Sequence, residues 1–380
     1  MSTPASPAHK RIDYIDWLRI MAVALLVPFH SAMIFVSWDF HLKNQVLSPG
    51  LTWFNACLGI WHMPLFMFLA GVGTWHALGY RSGSGYALER VKRLFIPFVF
   101  GMLAIIPPQV YIERIWRGQF SGSYFAFYPH VFNGFYPQGN LSWHHLWFLL
   151  YLFLNSIIAL PLFLALRGRI KPGVERFMQR ISRGGAIYLP AIPLILGMWL
   201  FKNTWPNGDQ NLIGDMDNFT LYLVVFIYGY VCCFSQTFWD TAERLRGPSL
   251  AAGIVATAAT FWLDMNANTG IIAIGAVFLA LHGTATWCLL LALFGFGKKH
   301  LNTGGAMLRY ASEAALPFYV LHQTLILTIG YFVIQTRMGV ALKFTVIVMS
   351  SFAVTLAVYD VIVKRAAPLR FLLGMRPIKK

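Results

Sequence analysis

Arg19 and His30 lie eleven residues apart in the apolar stretch DWLRIMAVALLVPFH. A helix rises 1.5 Å and turns about 100° per residue, so it would separate them by about 16 Å along its axis but only about 20° around it. One helix face therefore carries a permanent cation at one end and an imidazole near the middle. An imidazole titrates near neutrality, which suits it to take a proton from a hydroxyl as a general base or to attack an acyl carbonyl itself. The spacing leaves both routes open, and Pro28 can kink the helix between the two residues. The structural alternative is that Arg19 snorkels to an interface and His30 is a packed polar residue.

His62 in IWHMPLFMFLAG and His322 in LPFYVLHQ also fall in apolar stretches. Each alone reads as a packed histidine. If the stretches cross a bilayer in the directions inferred below, the three imidazoles meet at a similar depth from three helices, and an ionisable residue inside a span is a functional candidate by default. Arg90 and Arg93, in ERVKRLFIPF, stand three apart on one helix face. Their ordinary reading is interfacial positive charge; two guanidinium forks could also hold phosphate.

The elements that carry these residues follow from hydropathy. The 380 residues are 57% hydrophobic and 12% charged, against about 25% charged in a soluble domain. A bilayer core of about 30 Å needs about 20 apolar residues in a helix. The candidate spans are 17–37, 52–78, 94–112, 144–166, 185–201, 219–235, 249–264, 270–295, 311–334 and 340–363. The fold class is therefore all-α: a polytopic membrane protein with about ten transmembrane helices, forming a single integral-membrane domain over residues 1–380. The first span lacks the cleavage site of a signal peptide and is expected to be retained.

The net charge of +16 would point to nucleic acid in a soluble protein. Here most of the charge sits in short loops. With the N-terminus inside, Lys and Arg favour the inner loops over the outer ones by roughly four to one, so both termini are expected to be cytoplasmic and no nucleic-acid partner is expected. Two outer loops stand out. Residues 113–143 mix aromatic rings with Gly, Asn and Gln, and residues 202–218 are polar with three Asp. Rings with amides suit stacking and hydrogen bonding to sugars, although an aromatic belt accounts for the rings alone. The four cysteines form no CxxC pair or Cys/His cluster, so neither a structural disulfide nor a metal site is expected.

Taken together, these motifs resemble the integral-membrane acyltransferase family of type three. The matching pieces are Arg19 with ten residues before His30, HMPLFMFLAG at 62–71, Arg-x-x-Arg at 90–93 leading into LFIP, HLWFL at 145–149 and LPFYVLHQ at 316–323. They span nearly the whole chain in the expected order. Within the family the layout is most similar to a glucan-biosynthesis branch implicated in succinylating periplasmic glucans. The second-span ending AGVG departs from the more usual Ser-Gly, which removes any role for that serine.

The resemblance implies an O-acyltransferase of the bacterial inner membrane. It would move an acetyl or succinyl group from cytoplasmic acyl-CoA, its co-substrate, to a carbohydrate hydroxyl on the far side. It further implies that His30 is catalytic with Arg19 essential beside it, and that Arg90 and Arg93 bind the acyl-CoA. His62, His322 and His145 are candidates for active-site support, as donors to a tetrahedral oxyanion for example. No metal is required. Two other readings remain: a proton-coupled secondary transporter or flippase, and a non-catalytic sensor. A carrier has no need of Arg-x-x-Arg at the inner mouth in addition to the Arg19/His30 pair, and a sensor would tolerate loss of His30.

Overall fold

The computed structural model describes residues 12–202, 211–212, 214–268 and 271–377. Lys10, Arg11, Lys379, Lys380 and much of the polar stretch 202–218 lie outside them. Among the described residues the fold is all helical, with one isolated β-bridge between Phe135 and Leu141.

Ten helical segments occur where the hydropathy places them: α1 (Asp13–Met33), α2 (Pro49–Leu78), α3 (Gly83–Trp116), α4 in two halves (His144–Ile158 and Leu160–Leu166), α5 (Gly184–Phe201), α6 (Met216–Phe234), α7 (Arg246–Asn266), α8 (Ile272–His300), α9 (Ala306–Val333) and α10 (Val340–Val363). Eight are long and apolar enough to cross a membrane. The bent pair α4, with 44° between its halves, makes a ninth if it is one span. Length and hydropathy alone thus give eight or nine spans among the described residues, beside the expected count of about ten. The expected span at 249–264 exists as α7, a 21-residue helix, but its Gly, Thr, Asp264 and Asn266 dilute its hydropathy below that of the others.

The apolar surface is turned outward as well as inward, as a lipid solvent allows. Ile254, Val255 and Trp262 on α7 and Met349, Val361 and Ile362 on α10 are exposed. Inside, α2 packs against α6, α1 against α9, and α7 along α8. The α2–α6 contact is a glycine contact. A Cβ on Gly71 would run into the Phe226 carbonyl oxygen and lie 2.8 Å from the Tyr230 nitrogen, and a Cβ on Gly229 would strike the Phe68 carbonyl. Gly71 of the AGVG ending is therefore a packing residue that lets two backbones touch.

Two features position the site. First, α3 contains π-turns at Val91–Phe95 and Gly101–Ile105, each just ahead of a proline, Pro97 and Pro107. A proline cannot donate and its ring presses on the preceding turn, so the widened turns relieve both faults. Second, the connection 34–48 folds back over the end of α1. Lys43 Nζ donates to the Met33 and Val36 carbonyls at 2.8 Å each, closing groups that a helix end leaves open. Lys343, in the first turn of α10, is buried and donates to Asn44 Oδ1 and the Ile334 carbonyl. This connection and the loop 117–143 form one end of the bundle, joined by an Arg117–Asp39 ion pair. Arg93, bonded to the Gly374 carbonyl, marks the other end.

Candidate active site

His30 lies on the last turn of α1 beside Pro28. Its Nδ1 is 3.1 Å from His322 Nε2 on α9 and 3.0 Å from the Leu26 carbonyl. The network fixes the tautomers. His322 Nδ1 sits 2.6 Å from the Tyr319 carbonyl, which can only accept, so that nitrogen carries the proton and Nε2 is the acceptor. His30 must then donate from Nδ1, shared between His322 and Leu26. Its Nε2 is left with a lone pair and has no hydrogen-bond partner among the described residues.

His30 lines a cavity of about 800 Å³. The wall includes Leu26, Phe29, Met33, His62, Met63, Met102, His145, Phe148, Tyr319 and Gln323. Trp38, Asp39, Phe40, His41, Phe135, Tyr136 and Trp143 come from the loop end, with Asn211 from the approach to α6 and Asn218 from its first turn. His145, at the start of α4, places its ring 5.1 Å from that of His322 and 6.4 Å from that of His30. Of the three imidazoles expected to meet, His30 and His322 do so, and His145, which was not counted among them, joins that pair. His62 shares the cavity, but its Nε2 bonds the Ala22 carbonyl at 2.7 Å and so ties α2 to α1.

Arg19 is not brought to His30. The intervening helix keeps the two about 16 Å apart, and Arg19 Nη1 pairs with Asp16 at 2.9 Å. It joins a different group, in which Arg93 feels the charges of Arg90, Glu89, Arg376 and Arg19. Glu89 is the hub: it pairs with Arg81, with Arg90 at 3.4 Å and with Arg93 at 3.6 Å. The cations exceed the acids, and Arg90 Nε is buried with no partner. The Arg90 guanidinium lies over the Tyr86 ring. None of these arginines lines the His30 cavity.

A family model described as an acyltransferase domain matches residues 12–362. The chain belongs to this acyltransferase family. It is 24% identical to proteins named Glucans biosynthesis protein C from Escherichia coli O17:K52:H18 (strain UMN026 / ExPEC), Escherichia coli O157:H7 and Escherichia coli (strain K12 / DH10B). Each match covers 98% of this chain and 97% of the relative. No solved structure matches. The protein is a multi-pass membrane acyltransferase.

Two aspects of this acyltransferase were not read from the sequence. The histidines expected to donate to an oxyanion have those hydrogens committed elsewhere: His62 to Ala22, His322 to Tyr319, and His145 Nε2 to the Val320 carbonyl at 3.1 Å. The other aspect is a group from the loop end. Glu113, fully buried, accepts from His41 Nδ1 at 2.5 Å, and His41 Nε2 lies 2.8 Å from His144 Nδ1. Tyr136 also donates to Glu113. Burial, with that carboxylate beside it, pushes the Tyr136 phenol up, so it stays protonated. Glu113 stood in the sequence within the aromatic loop 113–143; the structure makes it the last turn of α3.

Proposed function

We propose that the protein is an O-acyltransferase of the bacterial inner membrane, moving an acetyl or succinyl group from cytoplasmic acyl-CoA to a hydroxyl of an extracytoplasmic glycan such as a periplasmic glucan. The observation that carries this reading is His30: an imidazole held by its Nδ1–H, its Nε2 lone pair free, in the wall of a cavity within the bundle. That is the state a general base or a nucleophile must have.

The acceptor side is supported by the cavity's loop-end lining. Trp38, Phe40, Tyr136 and Trp143 offer flat apolar faces, and Asn211 and Asn218 offer amides. The donor side is supported by Arg90, Arg93 and Arg19 at the opposite end, where spare guanidinium hydrogens suit the phosphates of CoA. With both termini cytoplasmic, that end faces the cytoplasm. The pantetheine arm would then cover the length of α1 between Arg19 and His30. Gln323 lines the cavity and commits one amide hydrogen to Gln109 Oε1. Its second hydrogen is the donor at hand for a developing oxyanion.

The test supplies radiolabelled acetyl-CoA or succinyl-CoA to membrane vesicles with a glucan acceptor. Wild type is compared with His30→Ala and Arg90→Ala. Transfer lost in His30→Ala, and a raised acyl-CoA requirement in Arg90→Ala, are the expected results. Normal transfer by His30→Ala would remove the catalytic assignment.

A further inference from the structure

A second imidazole in the wall of the same cavity has a nitrogen with a bare lone pair. Glu113 is a carboxylate and can only accept, so His41 donates to it from Nδ1. His41 Nε2 is then an acceptor, and the 2.8 Å contact obliges His144 to donate from Nδ1. The remaining nitrogen, His144 Nε2, carries a lone pair. It is buried, has no hydrogen-bond partner, and belongs to a residue of the cavity wall. A buried acceptor left unmade is a cost, and a network serving only to pin the loop would not need to leave one beside a cavity.

The backbone points the same way. His144 has φ +37°, a left-handed conformation that a non-glycine residue seldom adopts. Such conformations persist where the surroundings hold them, often at functional sites. Here the holding is visible: the His144 amide donates to Ser142 Oγ at 3.1 Å, and the ring lies 4.9 Å from that of Tyr136. Behind it, Glu113 is kept in place by Tyr136, and by Arg117 at 3.5 Å and Arg114 at 3.9 Å. Arg114 is itself fixed by Asn140, Gln119 and two loop carbonyls.

We propose that Glu113, His41 and His144 form a carboxylate–imidazole–imidazole relay in which His144 Nε2 is the base that activates the acceptor hydroxyl, leaving His30 to engage the acyl donor. The inference rests on the acyltransferase reading of the cavity and divides its chemistry between two ends. In the step, the acceptor O–H bond breaks and its proton passes to His144 Nε2. The oxygen forms a new bond to the acyl carbon, and the bond from that carbon to the CoA sulfur, or to His30 Nε2 if the acyl group is first carried there, breaks. The positive charge on His144 is met by a shift of its Nδ1 hydrogen toward His41, and of the His41 hydrogen toward Glu113. The proton finally returns to the departing thiolate or to water at the loop-end mouth. His144 is a catalytic residue in this account; His41 and Glu113 are positioning residues.

The test uses the full chain in proteoliposomes with acetyl-CoA and succinyl-CoA as donors and two acceptors: a glucan oligosaccharide, whose hydroxyls need a base, and hydroxylamine, which attacks acyl groups without one. His144→Asn is the variant of choice, because Asn tolerates a positive φ; Glu113→Gln is the second. For His144→Asn the expected result is at least a 100-fold loss of glucan acylation, hydroxamate formation within twofold of wild type, and partial rescue of glucan acylation by added imidazole. Glu113→Gln should lower glucan acylation about tenfold with hydroxamate again unchanged. Glucan acylation retained within threefold by His144→Asn overturns the proposal. So does an equal loss to both acceptors without imidazole rescue, which marks a structural role. His30→Ala run in parallel separates the two levels: if it keeps both reactions, the reading of the cavity fails at His30, whereas loss of both together with an unimpaired His144→Asn sinks the relay alone.

Discussion

His322 turns Nε2 toward Nδ1 of His30 at 3.1 Å while its own Nδ1 is spent on the Tyr319 carbonyl at 2.6 Å. One main-chain oxygen on α9 thus decides which nitrogen of a histidine on α1 is free to react. When His30 Nε2 takes a proton or an acyl group, the charge on the ring strengthens the hydrogen bond at Nδ1. A bond to a charged group is worth about 1.5–3 kcal/mol, or roughly 10–100-fold in rate.

His322→Ala should therefore lower kcat by about 10–100-fold with little change in the KM for acyl-CoA. Steady-state kinetics on the purified variant checks this. A raised donor KM at unchanged kcat would mean that His322 serves binding instead.

His30→Ala should cost more. General acid–base catalysis contributes about 10²–10⁴-fold, and no other described residue replaces His30 Nε2 at that point of the cavity. The loss should appear as a fall in kcat with folded protein still recovered, since His30 is only partly buried. Size-exclusion profiles beside the rate measurement separate misfolding from lost chemistry.

The far end of the bundle should answer differently. Arg90→Ala and Arg93→Ala are expected to raise the apparent KM for acyl-CoA by about tenfold or more, the loss of one charge-assisted contact each, while saturating rate is largely kept. Arg19→Ala should move the same parameter, because Arg19 stands with these arginines and not at His30. If Arg19→Ala instead lowers kcat alone, its part lies in the reaction step.

How much of this was legible in the sequence differs from residue to residue. Spans such as α2 and α8 show themselves because a run of apolar side chains has one stable use in lipid. The depth of His30 and His322 followed from counting residues along those spans, and their meeting is what the structure shows. The tautomer did not follow, since it depends on a carbonyl brought in by packing. The extent of α7 was readable, but its hydropathy falls below that of the other spans. His41, Glu113 and His144 were missed as a group for a different reason. They come from a loop, a helix end and a helix start far apart in the chain, and no periodicity announces how such segments fold over one another. The one clue was two histidines and a glutamate in stretches otherwise rich in aromatics, and an aromatic belt accounts for most of that composition.

Gly71→Ala and Gly229→Ala test the packing that carries the cavity wall. At either position the new methyl group would strike a main-chain oxygen of the facing helix, which cannot swing aside as a side chain can. Overpacking of this kind costs about 1–3 kcal/mol or more. Both variants should show lower thermal stability in detergent, and Gly59→Ala, whose Cβ would meet nothing within 4 Å, should not. Equal stability of all three would mean that α2 and α6 do not touch in this way.

The most direct test of the account uses sealed proteoliposomes of known orientation, with labelled acyl-CoA enclosed on the Arg90 side and glucan supplied only on the His41 side. Label should appear on the outside glucan with the wild-type protein and fall by at least 100-fold with His30→Ala. Label that reaches glucan only when donor and acceptor share one side, or that His30→Ala transfers undiminished, would contradict a single imidazole served from opposite faces of the membrane.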